Sequence, residues 1–97
     1  MSPLEHVLAC LAEECSEVIH ATTKAMRFGW DDGHPNGSTN NAQDMVREIN
    51  DLLGVIEVLK QMPLPLEGLG DPERIAAKQA KVLRLMDYAE ARGALQR

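Results

Sequence analysis

The sequence predicts an all-α protein, and three observations carry that reading. Apolar residues recur at spacings of three and four in three separate segments. No segment shows the alternation of a half-buried strand. Phe28, Trp30 and Tyr88 are the chain's only aromatic residues, too few for a sandwich or barrel core. At 97 residues the chain suits a single domain over residues 1–97. Three helices of this length cannot close a large core, so a three-helix protomer associating into a four-helix-bundle-type oligomer is expected.

The first helix is expected over about 3–28. Ser2 can cap it, Pro3 fits the first helical position, and Glu5 stands where a capping box needs it. Leu4, Leu8, Leu11, Cys15 and Val18 form its apolar stripe, which Thr22 and Ala25 continue with smaller side chains. Gly29 stops it. Residues 29–41, GWDDGHPNGSTNN, are nearly all turn formers. Asn41 is the expected cap of a second helix over about 42–61, whose stripe is Met45, Ile49, Leu52, Ile56 and Leu59. Pro63 and Pro65 end it. Asp71-Pro72 restarts the chain as cap and first-position proline, and a third helix over about 72–92 carries Ile75, Val82, Leu83 and Met86 before Gly93.

Charge and ends narrow the classes of function. Fifteen acidic against ten basic residues give a net charge of −5, which argues against a general nucleic-acid binder. No apolar run approaches the roughly 18 residues of a membrane span, and no signal peptide is evident at the start. Cys10 and Cys15 are turned about 140° apart on a helix, so they cannot pair with each other. Two unpaired thiols fit a cytoplasmic protein.

Chemistry resides beside the apolar stripes. At 100° per residue, Glu14, Glu17, Ala21, Lys24 and Phe28 share one flank of the first helix, and Asp44, Glu48, Asp51 and Val55 share one flank of the second. When the stripes pack, Glu14, Glu17, Glu48 and Asp51 converge. Four carboxylates so placed repel one another. A divalent cation removes the conflict, and all-oxygen ligands suit Mg²⁺, with Mn²⁺ as a substitute. A solvated acidic face is the bland alternative. Residues 1–23 hold four acids (Glu5, Glu13, Glu14, Glu17) and no Lys or Arg, so salt bridges within that stretch do not account for them. Glu13 points away from the stripe and is expected to support the ligands rather than bind metal.

Glu13-Glu14-x-x-Glu17 followed by Glu48-x-x-Asp51-Leu52-Leu53 resembles the EExxE…ExxD signature of MazG-like nucleoside triphosphate pyrophosphohydrolases. The stretch LAEECSEVIHATTKAMRFG…VREINDLLGVIEVL looks like compact bacterial or phage members, over about residues 8 to 60. The resemblance implies an all-α fold with a four-helix core formed by paired subunits, as a dimer or tetramer. It implies hydrolysis of an NTP or dNTP to the monophosphate and pyrophosphate. It also implies that Glu14, Glu17, Glu48 and Asp51 are the catalytic Mg²⁺ ligands.

In that setting Lys24 is placed to meet distal phosphates, and Arg27 can offer a fork to phosphate; a basic helix end is the plain alternative for both. Glu17 or Glu13 is the candidate base. Phe28 and Trp30 can stack on a nucleobase, which favours a purine, with dGTP the first candidate. His34, Asn36, Asn40 and Asn41 offer base-edge hydrogen bonds, against their role as turn formers. Arg74, Lys78 and Lys81 align on one face of the third helix, and a solvated face is the expected reading there. Two other functions compete. Glu17-x-x-His20 fits half of a carboxylate-bridged di-iron bundle, and a non-enzymatic helical oligomerisation module accounts for the core stripes alone.

Overall fold

In a computed structural model, which describes residues 1–62 and 66–97, the chain forms three α-helices and, among the described residues, no strand. They are α1 (Pro3–Phe28), α2 (Asn41–Lys60) and α3 (Pro72–Ala91). The expected helix-ending prolines Pro63 and Pro65 lie outside the described residues. The chain divides into two compact units, Met1–Leu66 and Glu67–Arg97.

The first unit is a hairpin of α1 and α2. α1 begins with Ser2 as its cap, Ser2 Oγ accepting from the Glu5 N–H at 3.1 Å, and with proline in the first turn; of the expected capping box only this half forms. It ends at Gly29, whose φ of 100° lies in the region glycine tolerates. The cap of α2 departs from expectation by one residue. Asn40, not Asn41, is the N-cap, and it forms a full capping box with Gln43: Asn40 Oδ1 accepts from the Gln43 N–H, and Gln43 Oε1 accepts from the Asn40 N–H. Asn41 is instead the first helical residue, 3% exposed, and its Nδ2 donates to the Gly29 carbonyl at 3.0 Å.

The connecting loop is tied to the start of α2. The Asn41 and Ala42 N–H groups, which a helix start leaves without partners, donate to the carbonyls of Asp32 (2.7 Å) and Trp30 (3.0 Å). Gly33 lets the loop close: a Cβ there would run into the Thr39 carbonyl oxygen. The loop therefore fixes the angle and register at which α2 returns along α1.

The packing of the hairpin corrects the expected α1 stripe. Leu4, Leu11, Val18, Ala21 and Ala25 are buried or half-buried, whereas Leu8 and Cys15 are exposed. Two stripes run along α1, both at steps of three, four or seven residues. The outer one holds Leu8, Ala12, Cys15, Ile19 and Met26, all exposed. α2 repeats the pattern. Leu59 is buried, Met45, Ile49, Leu52 and Ile56 are half-buried, and Val46 and Leu53 are exposed. At 100° per residue, these outer apolar residues lie on one side of the hairpin and the carboxylates on the other. Among the described residues only Ala21, Ala25 and Leu59 are buried hydrophobics.

The second unit is α3 and its ends. Asp71 caps it by accepting from the Glu73 N–H. Arg97 folds back on its last turns, pairing with Asp87 (2.8 Å) and Glu90 (2.6 Å). No residue of α3 is buried. Ile75, Val82, Leu83 and Met86 are exposed, so they build no core within this unit. No helix among the described residues is long and apolar enough to cross a membrane.

Candidate metal centre and adjoining cavity

Facing positions of α1 and α2 bring three of the four expected carboxylates together. Each of Glu14, Glu48 and Asp51 offers an oxygen, and the three oxygens lie within 4.8 Å of one another. Glu14 comes from the middle of α1. Glu48 and Asp51, three residues apart, share one face of α2. Glu14 and Glu48 are half-buried and Asp51 is exposed. Glu17 stands one turn along α1, outside this cluster, and lines a neighbouring cavity instead. Glu13 is exposed on the outward side and acts on the cluster through its charge.

The electrostatics follow from this crowding. The Glu14 carboxyl is held above its ordinary value of 4.5, first by partial burial, then by the negative charges of Asp51, Glu48, Glu13 and Glu17. Asp44 moves the other way, below its ordinary 3.8. The Thr39 hydroxyl donates to its Oδ1 at 2.6 Å, and Arg47 adds both charge and a hydrogen bond. Hard oxygen donors so close together match the needs of Mg²⁺ or Mn²⁺. An acidic group of this kind also occurs on protein surfaces without any ion.

Beside the triad is a cavity of about 140 Å³ lined by Glu17, His20, Ala21, Lys24, Asn41, Asp44, Arg47 and Glu48. Lys24 and Ala21 line it from α1. Arg27 does not line it. Its guanidinium lies over the Phe28 ring, 4.7 Å from the centroid. Phe28 and Trp30 are 53% and 57% exposed, at the surface where α1 enters the loop, and neither lines the cavity. Asn40 is occupied as the cap of α2. In the loop, His34 Nδ1 accepts from the Asn36 N–H, so those two residues serve the turn.

Sequence reasoning missed Arg47. Its Nη1 donates to Asp44 Oδ1 at 3.1 Å and its Nη2 to Glu48 Oε1 at 3.3 Å. Its place three residues after one acid and beside another is a signal that the α2 flank, read only for carboxylates, did not reveal. On α3, Arg74, Ala77, Lys78, Lys81 and Arg84 line a shallow groove, an exposed basic face. Comparison with known proteins finds no matching family model, no similar curated protein and no similar solved structure.

Proposed function

We propose that the chain is a Mg²⁺-dependent nucleoside triphosphate pyrophosphohydrolase of MazG-like type, cleaving the α–β phosphoanhydride of an NTP or dNTP. The observation that carries this reading is the convergence of Glu14, Glu48 and Asp51 from two helices beside a cavity that also holds Lys24. Lys24 beside the carboxylates gives the cavity charges of both signs, as a metal-bound triphosphate requires. The motif Glu13-Glu14-x-x-Glu17…Glu48-x-x-Asp51 gives the same residues their roles.

Glu14, Glu48 and Asp51 would hold the cation, with Glu17 as a further carboxylate toward the cavity. A bound divalent ion supplies positive charge to phosphate oxygens and eases ionisation of water. The chain's own residues do the rest. Lys24 offsets the negative charge of the triphosphate. Glu17 accepts the proton of the water whose oxygen bonds to the α-phosphorus, as the bond from that phosphorus to the bridging oxygen breaks and pyrophosphate leaves. Phe28 and Trp30 offer exposed rings for stacking on a base, so a purine nucleotide such as dGTP is the first to test.

Self-association belongs to the same proposal. The apolar side of the hairpin lies opposite the carboxylates, so two hairpins pairing through it make a four-helix core with both acidic faces outward.

The test is a panel of all canonical NTPs and dNTPs with Mg²⁺, assayed for monophosphate and pyrophosphate. Turnover of at least one substrate with release of pyrophosphate is expected. A Glu48→Ala protein should lose on the order of a hundredfold or more in rate while remaining folded. No turnover, or release of orthophosphate only, would refute the activity.

A further inference from the structure

Glu48 has two sets of neighbours. On one side it belongs to the triad with Glu14 and Asp51. On the other it accepts from Arg47 Nη2 at 3.3 Å, while Arg47 Nη1 reaches Asp44 at 3.1 Å. Both contacts are longer than the 2.7–2.9 Å of a strong charge-assisted bond. The Arg47 side chain is 56% exposed, against 25% for Asp44 and 15% for Glu48, so the guanidinium end of each pair is open to water. The guanidinium is thus loosely held by two different carboxylates, one contact each, instead of forming a fork on either.

The surroundings give it an alternative. Arg47 on α2 and Lys24 on α1 line the same cavity. Asp44 Oδ1, which accepts from Arg47, also accepts from the Thr39 hydroxyl, so Asp44 keeps a partner without Arg47. Asn41, almost wholly buried, is fixed by its bond to the Gly29 carbonyl, so that wall is rigid. A planar guanidinium and an ammonium across a small cavity suit a phosphate group, which Arg can grip with two parallel N–H donors. Arg27, the expected fork, is engaged with Phe28 and does not line the cavity.

We infer that Arg47, with Lys24, forms a seat for the pyrophosphate end of the substrate, and that Arg47 is released to this seat when a cation takes Glu48. This rests on the proposed phosphoanhydride hydrolysis for its ligand. Arg47 is then a counter-charge for Glu48 in the empty site and a phosphate ligand in the filled one. It competes with the cation and cooperates with the anion.

Those opposed roles define the experiment. Mg²⁺ binding alone, and pyrophosphate binding in the presence of Mg²⁺, are measured by calorimetry on the full chain and on its Arg47→Met and Arg47→Lys variants. Arg47→Met should bind Mg²⁺ more tightly, because Glu48 loses a competing cation. It should bind pyrophosphate on the order of tenfold more weakly. Arg47→Lys should restore only part of the anion affinity, since an ammonium lacks the fork. A variant that merely distorts α2 would lose both ligands together. Loss of both, or pyrophosphate affinity unchanged in Arg47→Met, overturns the inference, as does a parent chain that binds no pyrophosphate. The two proposals separate cleanly. Opposed shifts in a chain that turns over no nucleotide leave the seat standing and remove the activity. Turnover with normal KM in Arg47→Met does the reverse.

Discussion

Glu14 is the residue on which the charge of the site is concentrated, and its titration has a definite sign. A carboxyl whose pKa rises on folding binds a proton more tightly in the folded chain. Its folded form is therefore penalised once the group ionises. Stability falls as pH rises from the ordinary 4.5 through the raised value, and the penalty is constant above that. Asp44 has the opposite sign: its contribution is present above its ordinary 3.8 and is lost as pH falls through its lowered value. The two windows lie on opposite sides of about pH 4. Metal-free protein should gain melting temperature as pH is lowered from neutrality toward 4.5, then lose it below 3.8. Glu14→Gln keeps the side chain's shape and removes the charge. It should melt higher than the parent at pH 7 and lack the gain between pH 7 and 4.5. Thermal melts in a metal-chelated buffer check this. Equal pH responses in parent and variant would show that the crowding at Glu14 has no energetic consequence.

At the scale of elements, the loop between α1 and α2 decides whether the carboxylates meet. Its close approach at Gly33 leaves no room for a side chain. Gly33→Ala should cost about 1–3 kcal/mol, as a small-to-large change in a tight contact does. For a chain of this size that is a drop of roughly 5–20 °C in melting temperature. Unchanged melting would mean that the loop relaxes freely. The same region shows what local sequence chemistry reveals. Ser2-Pro3 and Asp71-Pro72 start α1 and α3 as expected, because capping depends on residues a few positions apart. Asn40 and Asn41 are identical side chains, so residue type could not choose between them. The choice lay in Gln43, three residues after Asn40, which completes the capping box. The α1 stripes were harder. Leu8 and Cys15 fit the same spacings as Leu4, Leu11 and Val18, so a one-dimensional pattern merged two faces that packing separates. Ile75 and Val82 on the third helix are exposed, because burial depends on what lies opposite. Glu14, Glu48 and Asp51 were legible from i, i+3 spacing beside an apolar stripe, but the same spacing pointed equally to Glu17, which lies outside the cluster. The Arg47–Asp44 pair has the same i, i+3 spacing, whereas the Arg47 contact with the adjacent Glu48 depends on side-chain reach and not on helical phase.

At the scale of the whole molecule, the hairpin has one chemical side and one uncovered side. Leu8, Ala12, Cys15, Ile19 and Met26 with Val46, Ile49, Leu53 and Ile56 carry no charge, and they face away from the carboxylates. An apolar surface of this kind on a chain that buries so few hydrophobic side chains within itself calls for a partner. A second copy meets the requirement, because the same face on both subunits is self-complementary under two-fold symmetry. Ile19, 68% exposed, lies near the centre of that face. Burying its side chain contributes about 2 kcal/mol, and the symmetry counts it twice. Ile19→Asp should then weaken association by roughly a thousandfold, giving monomers by sedimentation where the parent sediments as a dimer or larger. Should the variant fail to fold without its partner, Cys15 provides a reading on the parent face. With Cys10 changed to Ser, the Cys15 thiol should be shielded from alkylation at high protein concentration and react progressively faster on dilution. A parent chain that is monomeric throughout, with Cys15 equally reactive at every concentration, would show that this face is not where copies meet. Pairing through it would leave Glu14, Glu48 and Asp51 of each subunit facing outward, so association would act on the site by stabilising the helices that carry it.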